Sequence, residues 1–326
     1  EPGVDPPGAE ILVVERAPIR RVAFAQRLLA QLKQRLRFAQ LRRRRVELRF
    51  QLVSFTQVRV ALLALAELLA TSRIELGFDD LLRMGLDEYA VTLTCVSNEV
   101  GGDLIGTARW LGVPIRDLLA RAKPTADADM VLSHSIDGFT ASTPLEALTD
   151  ERDALLAIGM NGEPLPIAHG FPVRMVVPGL YGYVSATKWV TELEVTRYAV
   201  AEGYWTSRGW SARGPVKLAS RIDVPRAGAR VAAGPTVIAG VAWQTHVGVS
   251  GVEVQIDDGA WQPATLATAI SSDTWVQWSL PWDATAGTHT IRCRATSATG
   301  ETQTQQRAAP APDGATGWDE LTLTVA

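Results

Sequence analysis

Cys95 carries the first chemistry this sequence offers. Residues 91–94, Val-Thr-Leu-Thr, alternate apolar and hydroxyl side chains as a strand does, and the run leads straight into the cysteine. A polar stretch containing the pair Gly101-Gly102 follows, from Ser97 to Gly106, and Pro114 then opens a helix over Ile115–Leu119. A thiol at the mouth of a strand, beside such a loop, can be reached by a metal or a cofactor. A cysteine is also a small hydrophobe that is commonly buried for packing alone. Taken by itself, Cys95 admits both readings. The other cysteine, Cys293, lies in Thr290-Ile291-Arg292-Cys293-Arg294 and is expected to point into a core from an alternating strand. Two cysteines in a chain of this length do not make a disulfide scaffold.

Cys95 does not stand alone. The stretch LTCVSNEVGGDLIGTARWLGVPIRDLL, residues 93–119, resembles the cysteine loop of the sulfite oxidase-like molybdopterin oxidoreductases. HGFPVRMVVPGLYGYVSATKWV, residues 169–190, resembles their pterin-phosphate motif. The resemblance runs over about residues 74–326 and implies a molybdenum-molybdopterin cofactor with Cys95 as the metal ligand. Molybdenum in a sulfur-rich site suits a soft thiolate, and the charge of the metal keeps that thiol deprotonated. The pterin would add two more sulfurs, and the redox chemistry would belong to the metal. The implied reaction is oxygen-atom transfer or a related two-electron reduction.

A cofactor that ends in a phosphate needs cations and hydrogen-bond donors in fixed positions. Arg174 offers a planar fork and Lys188 a compact point charge. Ser185 and Thr187 add hydroxyls, and His169 can donate from either ring nitrogen. The resemblance places His169, Arg174, Ser185 and Lys188 at cofactor positions, and Thr187 joins them between Gly182 and Lys188. Lysine occurs only four times in the chain, so one inside a glycine-aromatic turn before Trp189 stands out.

The substrate side departs from the sulfite pattern. Sulfite is a small dianion and calls for clustered cations. Sulfite oxidases continue the cysteine loop with basic residues, whereas here Glu99 follows Val96-Ser97-Asn98. The resemblance aligns the family's tyrosine near the metal with Phe139, and an arginine of its dimerisation domain with the region of His246-Val247. An upstream Phe-Tyr-Arg-type motif is not found in residues 1–73. These differences favour a neutral or cationic substrate, a sulfoxide or N-oxide, over sulfite. Asp137, and with it Glu99, is then expected to face the metal in catalysis; the alternatives are a turn cap for Asp137 and a surface acid for Glu99.

These groups must be positioned by a chain of 326 residues, a length ordinary for two domains. A hydrophobic content of 47% supports a sizeable core, and a net charge of −3 gives no overall steering toward nucleic acid. No run of about 18 uncharged apolar residues occurs, so no transmembrane helix is expected within the sequence. Glu1-Pro2-Gly3 begins without a basic region and apolar stretch of the signal type. An anchor preceding Glu1 stays open. Residues 1–73 form an arginine-rich segment of uncertain structure, with four arginines in a row at 42–45. Val22, Ala25, Leu29, Leu32 and Leu36 recur at helical spacing there. A basic amphipathic helix on an anionic surface and a solvated helix packed on the chain are both compatible with that pattern. No glycine interleaves the basic residues between Arg16 and Arg59 as in a nucleic-acid module, so no nucleic-acid partner is expected.

From residue 74 onward the reading is a molybdopterin-binding domain at 74–200, a connector at 201–220 and a dimerisation domain at 221–326. In the first, Ile74–Phe78 reads as a strand, Asp79–Leu82 as a short helix, Met130–Leu132 as a strand, Ser135–Thr140 as a turn and Ala154–Met160 as a buried strand. Strands and short helices mix without a βαβ repeat, giving an α+β class. In the last, Val252, Val254 and Ile256 alternate before an Asp257-Asp258-Gly259 turn, and Thr288–Ala295 and Leu321–Val325 alternate likewise. Regular spacing of this kind indicates a β-sandwich, and it resembles the immunoglobulin-like dimerisation domain of bacterial family members. The resemblance thereby implies a homodimer through residues 221–326, a small-molecule substrate, a redox partner, and a location at the extracytoplasmic face or in a periplasm-like compartment, with the cytoplasm left open.

Overall fold

A computed structural model describes residues 60–62 and 73–326, and residues 73–326 belong to one compact unit. The amphipathic helix expected in the arginine-rich segment lies outside the described residues. Strand β1 (Val60–Leu62) pairs antiparallel with β2 (Ile74–Leu76). Helix α1 (Phe78–Arg83) follows, its first turn fixed by the Gly77 amide, which donates to the Asp80 carboxylate at 2.8 Å. That contact, with Arg83 beside it, holds the Asp80 carboxyl below its usual range.

β3 (Asp87–Thr94) and β4 (Ile105–Pro114) form a hairpin whose loop carries Cys95. α2 (Ile115–Ala122) starts where Pro114 ends the strand. Its Ile115, Leu118, Leu119 and Ala122 are fully buried, the i, i+3, i+4, i+7 stripe of a core-facing helix. It stops at Lys123, which adopts a left-handed conformation. β5 (Met130–Ser135) and β6 (Thr140–Pro144) form a second hairpin around the Ser135–Thr140 turn. The four-residue α3 (Glu146–Thr149) leads to β7 (Leu155–Met160), β8 (Glu163–Pro164), β9 (Arg174–Val176) and β10 (Val190–Thr196).

These strands make two sheets. One has the order β2-β1-β10-β5-β6; the other runs β3-β4-β7-β8, with β9 also paired to β7. Val91, Ala108, Trp110, Leu155, Ala157, Leu165 and Val176 pack into a core cluster against the second. The α+β expectation holds only loosely. The three described α-helices have six, eight and four residues, and sheet dominates.

After a single 3₁₀ turn at Thr206–Arg208, the chain enters a β-sandwich. β11 (Ala219–Val224) begins two residues inside the stretch read as connector. β12 (Arg230–Val231), β13 (Gly234–Trp243), β14 (Val249–Ile256), β15 (Gln262–Pro263), β16 (Thr265–Leu266), β17 (Val276–Ala284), β18 (Gly287–Ser297) and β19 (Asp319–Val325) follow. The two sheets are β11-β13-β17-β16 and β12-β19-β18-β14-β15. Leu321, Leu323 and Val325 face inward alternately, as expected, and meet Trp278, Val252 and Cys293 in the shared core. Cys293 is fully buried, and that burial raises its thiol pKa far above the ordinary range. It is a packing residue.

Candidate functional site

Cys95 is exposed at the end of β3, whereas Cys293 is buried. The loop that presents it is folded by its own polar groups. The Cys95 amide donates to the Leu104 carbonyl at 2.9 Å and closes the base of the hairpin. The Asn98 amide donates back to the Cys95 carbonyl at 3.1 Å, and the Asn98 carboxamide oxygen accepts from the Leu104 amide at 2.8 Å. Asn98 is buried, so these bonds form in a partly desolvated setting where they hold geometry well.

The β-sandwich braces the same loop. The Arg221 guanidinium donates to the Gly102 carbonyl at 2.8 Å and is paired with Asp223 at 2.7 Å. Gly101 has a φ of +76°, and a Cβ there would come 2.5 Å from the Asp319 carboxylate. Only glycine lets the loop lie this close to β19. Along β3, the Thr92 amide donates to the Asp273 carbonyl at 3.0 Å, and its hydroxyl accepts from the Trp275 amide at 2.9 Å. The second domain thus fixes the strand that delivers the thiol.

A second segment, residues 180–189, runs past this point. Tyr181 is buried and within electrostatic reach of the Cys95 sulfur. Burial is the main cause that raises its phenol pKa, with Asp313 and Cys95 adding to it and the Lys217 amide opposing. Gly182 sits close enough that a Cβ there would lie 3.8 Å from the Thr94 carbonyl. The segment ends at Lys188 and Trp189, beside the 3₁₀ turn Ile167–His169. Three donors converge on the successive carbonyls of that turn: Trp189 Nε1 on Ile167 at 3.0 Å, Lys188 Nζ on Ala168 at 3.2 Å, and Arg174 Nη1 on His169 at 3.0 Å. His169, Arg174 and Lys188 are therefore brought together, with the thiol at one end of the segment and the cations at the other.

Arg174 is the informative member. It is 6% exposed, stacks 4.8 Å over the Trp110 ring, and bonds only to the backbone carbonyls of Met175, His169 and Ala186. No carboxylate partners it among the described residues, and burial pushes its pKa down to about 10. A buried cation without a counter-ion is costly and suits an anion. Gly170 adds to the fit. Its φ is +111°, and a Cβ would meet the Arg174 and Lys188 Cβ atoms at 3.0 and 3.1 Å. Glycine here lets the turn pack directly on the stems of both cations, which together form a cationic cradle. An exposed thiol together with this cationic cradle fits a cofactor that carries both a thiolate-bound metal and a phosphate.

Three expectations from the sequence change. Ser185 is fully buried, and its hydroxyl is engaged with the Leu180 and Tyr181 carbonyls at 3.2 and 2.9 Å. Thr187 is also fully buried and bonds to the Ser133 hydroxyl at 2.7 Å. Both shape the segment from behind rather than offering a donor to a ligand. Asp137 is an exposed turn cap that accepts from the Phe139 amide at 3.0 Å. This bond, then Ser135, and more weakly Lys188, hold its carboxyl below the ordinary range. Its described partners place it with Lys188, not with the thiol. Glu99 is exposed in the cysteine loop, and His246 packs on Gly179 while pairing with Asp273 at 3.3 Å. The sequence reading did not single out Tyr181, Asn98, Trp110 or Arg221.

Comparison with known proteins gives this arrangement its context. Residues 62–205 match the oxidoreductase molybdopterin binding domain, and residues 220–292 match a bacterial Ig domain. Mitochondrial sulfite oxidase of Mus musculus is 33% identical over 235 residues, covering 59% of this chain and 43% of that protein. The chain thus spans less than half the length of that relative. The uncharacterized oxidoreductase YuiH of Bacillus subtilis is 38% identical over 105 residues, 32% of this chain and 52% of that one. The sulfane dehydrogenase SoxCD of Paracoccus pantotrophus shares the fold at a TM-score of 0.69 and 23% identity, covering 84% of this chain and 79% of that chain. With the exposed thiol and the cationic cradle inside the matched region, residues 62–205 carry an oxidoreductase molybdopterin binding domain similar to that of mitochondrial sulfite oxidase.

Proposed function

We propose that this chain is an oxygen-atom-transfer enzyme that uses molybdenum-molybdopterin at Cys95. The observation that carries the reading is the exposed Cys95 thiol on a doubly braced loop, at one end of a segment whose other end lies at Arg174 and Lys188. When bound, the cofactor supplies the two-electron redox chemistry and the exchange of an oxygen atom. Cys95 would hold the metal through sulfur. Arg174 and Lys188 would hold the phosphate, and their contacts to the His169 and Ala168 carbonyls keep both side chains aimed before it arrives. Tyr181, whose pKa is raised chiefly by burial, keeps its phenolic proton at neutral pH, and its hydroxyl accepts from the Lys217 amide at 3.3 Å.

For the substrate we favour a neutral sulfoxide or N-oxide. Reduction takes two electrons from a redox partner and two protons, and the oxygen leaves as water. Glu99 presents a carboxylate from the cysteine loop, and Phe139 has no hydroxyl to offer. The cation that reaches the loop, Arg221, is already bound to Asp223 and the Gly102 carbonyl. A dianion stripped of water there would lack paired donors. Steady-state kinetics at fixed molybdenum content should show sulfoxide or N-oxide reduction exceeding sulfite oxidation by roughly tenfold or more in kcat/KM, a difference of about 1.4 kcal/mol. Glu99→Arg with Phe139→Tyr should move that ratio toward sulfite. A wild-type preference for sulfite would overturn the substrate assignment and make the chain a sulfite oxidase. Turnover of neither class with molybdenum bound would make it a cofactor-binding module.

We further infer a C2 homodimer through residues 221–326. Val224 and Val237 are 47% and 46% exposed on the adjacent strands β11 and β13, and an isologous contact would cover such a face on both copies. Light scattering at micromolar concentration should return about twice the chain mass; a stable monomer would remove the inference.

A further inference from the structure

We propose that His134, Glu192 and Glu194 form a second metal site, for a divalent first-row ion such as zinc. The three ligand atoms lie within 4.8 Å of one another on the facing strands β5 and β10. His134 is the register partner of Glu192, and Glu194 follows two residues on, so all three share one face of the sheet.

The hydrogen bonding of the cluster is incomplete. His134 Nε2 lies 3.1 Å from Glu194 Oε2. Glu194 is more than nine-tenths buried, its side chain 7% exposed, yet its Oε1 atom has no hydrogen-bond partner among the described residues. A buried carboxylate oxygen without a donor is expensive. Glu192 brings a second carboxylate to the same place. Burial is the main cause that raises its pKa, with Glu194 adding to it and His134 and Arg73 opposing. The imidazole nitrogen facing Glu194 meets one carboxylate oxygen, and the Glu192 carboxylate lies beside the oxygen left over. A dication supplies positive charge there and takes a ligand from each residue. One nitrogen and two carboxylate oxygens suit zinc or a neighbouring ion, with the remaining position left to water.

The location gives the ion a structural role. His134 immediately precedes the Ser135–Thr140 turn, whose Ile136 amide donates to the Trp189 carbonyl at 3.1 Å. Glu192 and Glu194 follow Trp189 on β10. An ion joining β5 to β10 would therefore brace the turn and the end of the cationic segment together, independently of whether Cys95 binds molybdenum.

The test is equilibrium dialysis of the full chain against zinc, with metal counted by mass spectrometry and thermal melts run in parallel. The wild type should hold about one zinc ion per chain at this site and melt higher with zinc than without. Glu194→Gln and His134→Gln should lose both the ion and the shift. Because the exposed Cys95 thiol could itself take zinc, Cys95→Ser provides the control and should keep the ion. Cobalt substitution adds a second readout: a bound spectrum without the intense thiolate band, abolished by Glu192→Gln, which alters a part-exposed residue. No zinc bound by the wild type, zinc retained by the His134 and Glu194 variants, or zinc lost with Cys95 would each overturn the proposal.

Discussion

Cys95→Ser is expected to lose molybdenum-dependent turnover while keeping the fold. The thiol is exposed on its loop and the loop bonds are made by the backbone and Asn98, so removing sulfur leaves the hairpin bonds of Leu104 and Asn98 in place. What changes is the ligand. A serine hydroxyl is far less acidic than a thiol and is a harder donor, so it is a poor substitute for a thiolate on a metal bound among sulfurs. Losing an outer-shell partner already reduces metal affinity or activity by roughly 10–100-fold; losing the ligand itself should exceed that. The pterin should be retained in part, because Arg174 and Lys188 are untouched at the far end of the segment. Molybdenum per chain, pterin per chain and turnover, measured on one preparation, separate these effects. A variant with wild-type molybdenum and wild-type turnover would refute the assignment of Cys95.

The elements that carry the site were legible where one local pattern decides the outcome. The alternation of Val91 and Leu93 with threonines gave β3 and left Cys95 at its end, because a strand's faces repeat every two residues. The buried stripe of α2 and the alternation of β18 and β19 were equally readable. Residues 107–113 show no alternation in the sequence, though they belong to β4. From Trp110 to Pro114 every position of that strand is buried, so it has no polar face to alternate with.

The site itself was half legible. Arg174 and Lys188 could be picked out by residue type, by the rarity of lysine in the chain and by the motif at residues 169–190. Hydroxyls could not. The partners of Ser185 and Thr187 are the backbone of their own turn and Ser133 on β5, and neither spacing nor residue type reveals which way a buried hydroxyl points. Asp137 went the same way: an Asx-type contact to the amide two residues on is a local habit of aspartate in turns, and it competes with any catalytic reading. Arg221 reaches the cysteine loop from a residue 119 positions away, a contact that only the tertiary fold supplies.

Arg174→Met should separate cofactor binding from folding more cleanly than any other change in the site. The guanidinium is buried without a carboxylate, and its pKa of about 10 places a penalty of about 3 kcal/mol on the charged form. Against this stand three bonds to carbonyls, one at 3.0 Å and two longer, at 3.3 and 3.5 Å. Hydrogen bonds from charged donors contribute about 1.5–3 kcal/mol each at good geometry and less when long. The two effects are of similar size and opposite sign. Methionine, of comparable length, can also keep the apolar contact with Trp110. The melting temperature of cofactor-free protein should therefore move little. The phosphate would lose a buried cationic partner, a change that costs about 2–5 kcal/mol when charge pairs are truncated, or roughly thirtyfold or more in retention. Arg174→Lys keeps the charge without the fork and should fall between the two. Pterin per chain, measured beside thermal melts of the cofactor-free proteins, decides the matter. Full pterin retention by the methionine variant would show that Arg174 serves the turn at His169 and not the phosphate.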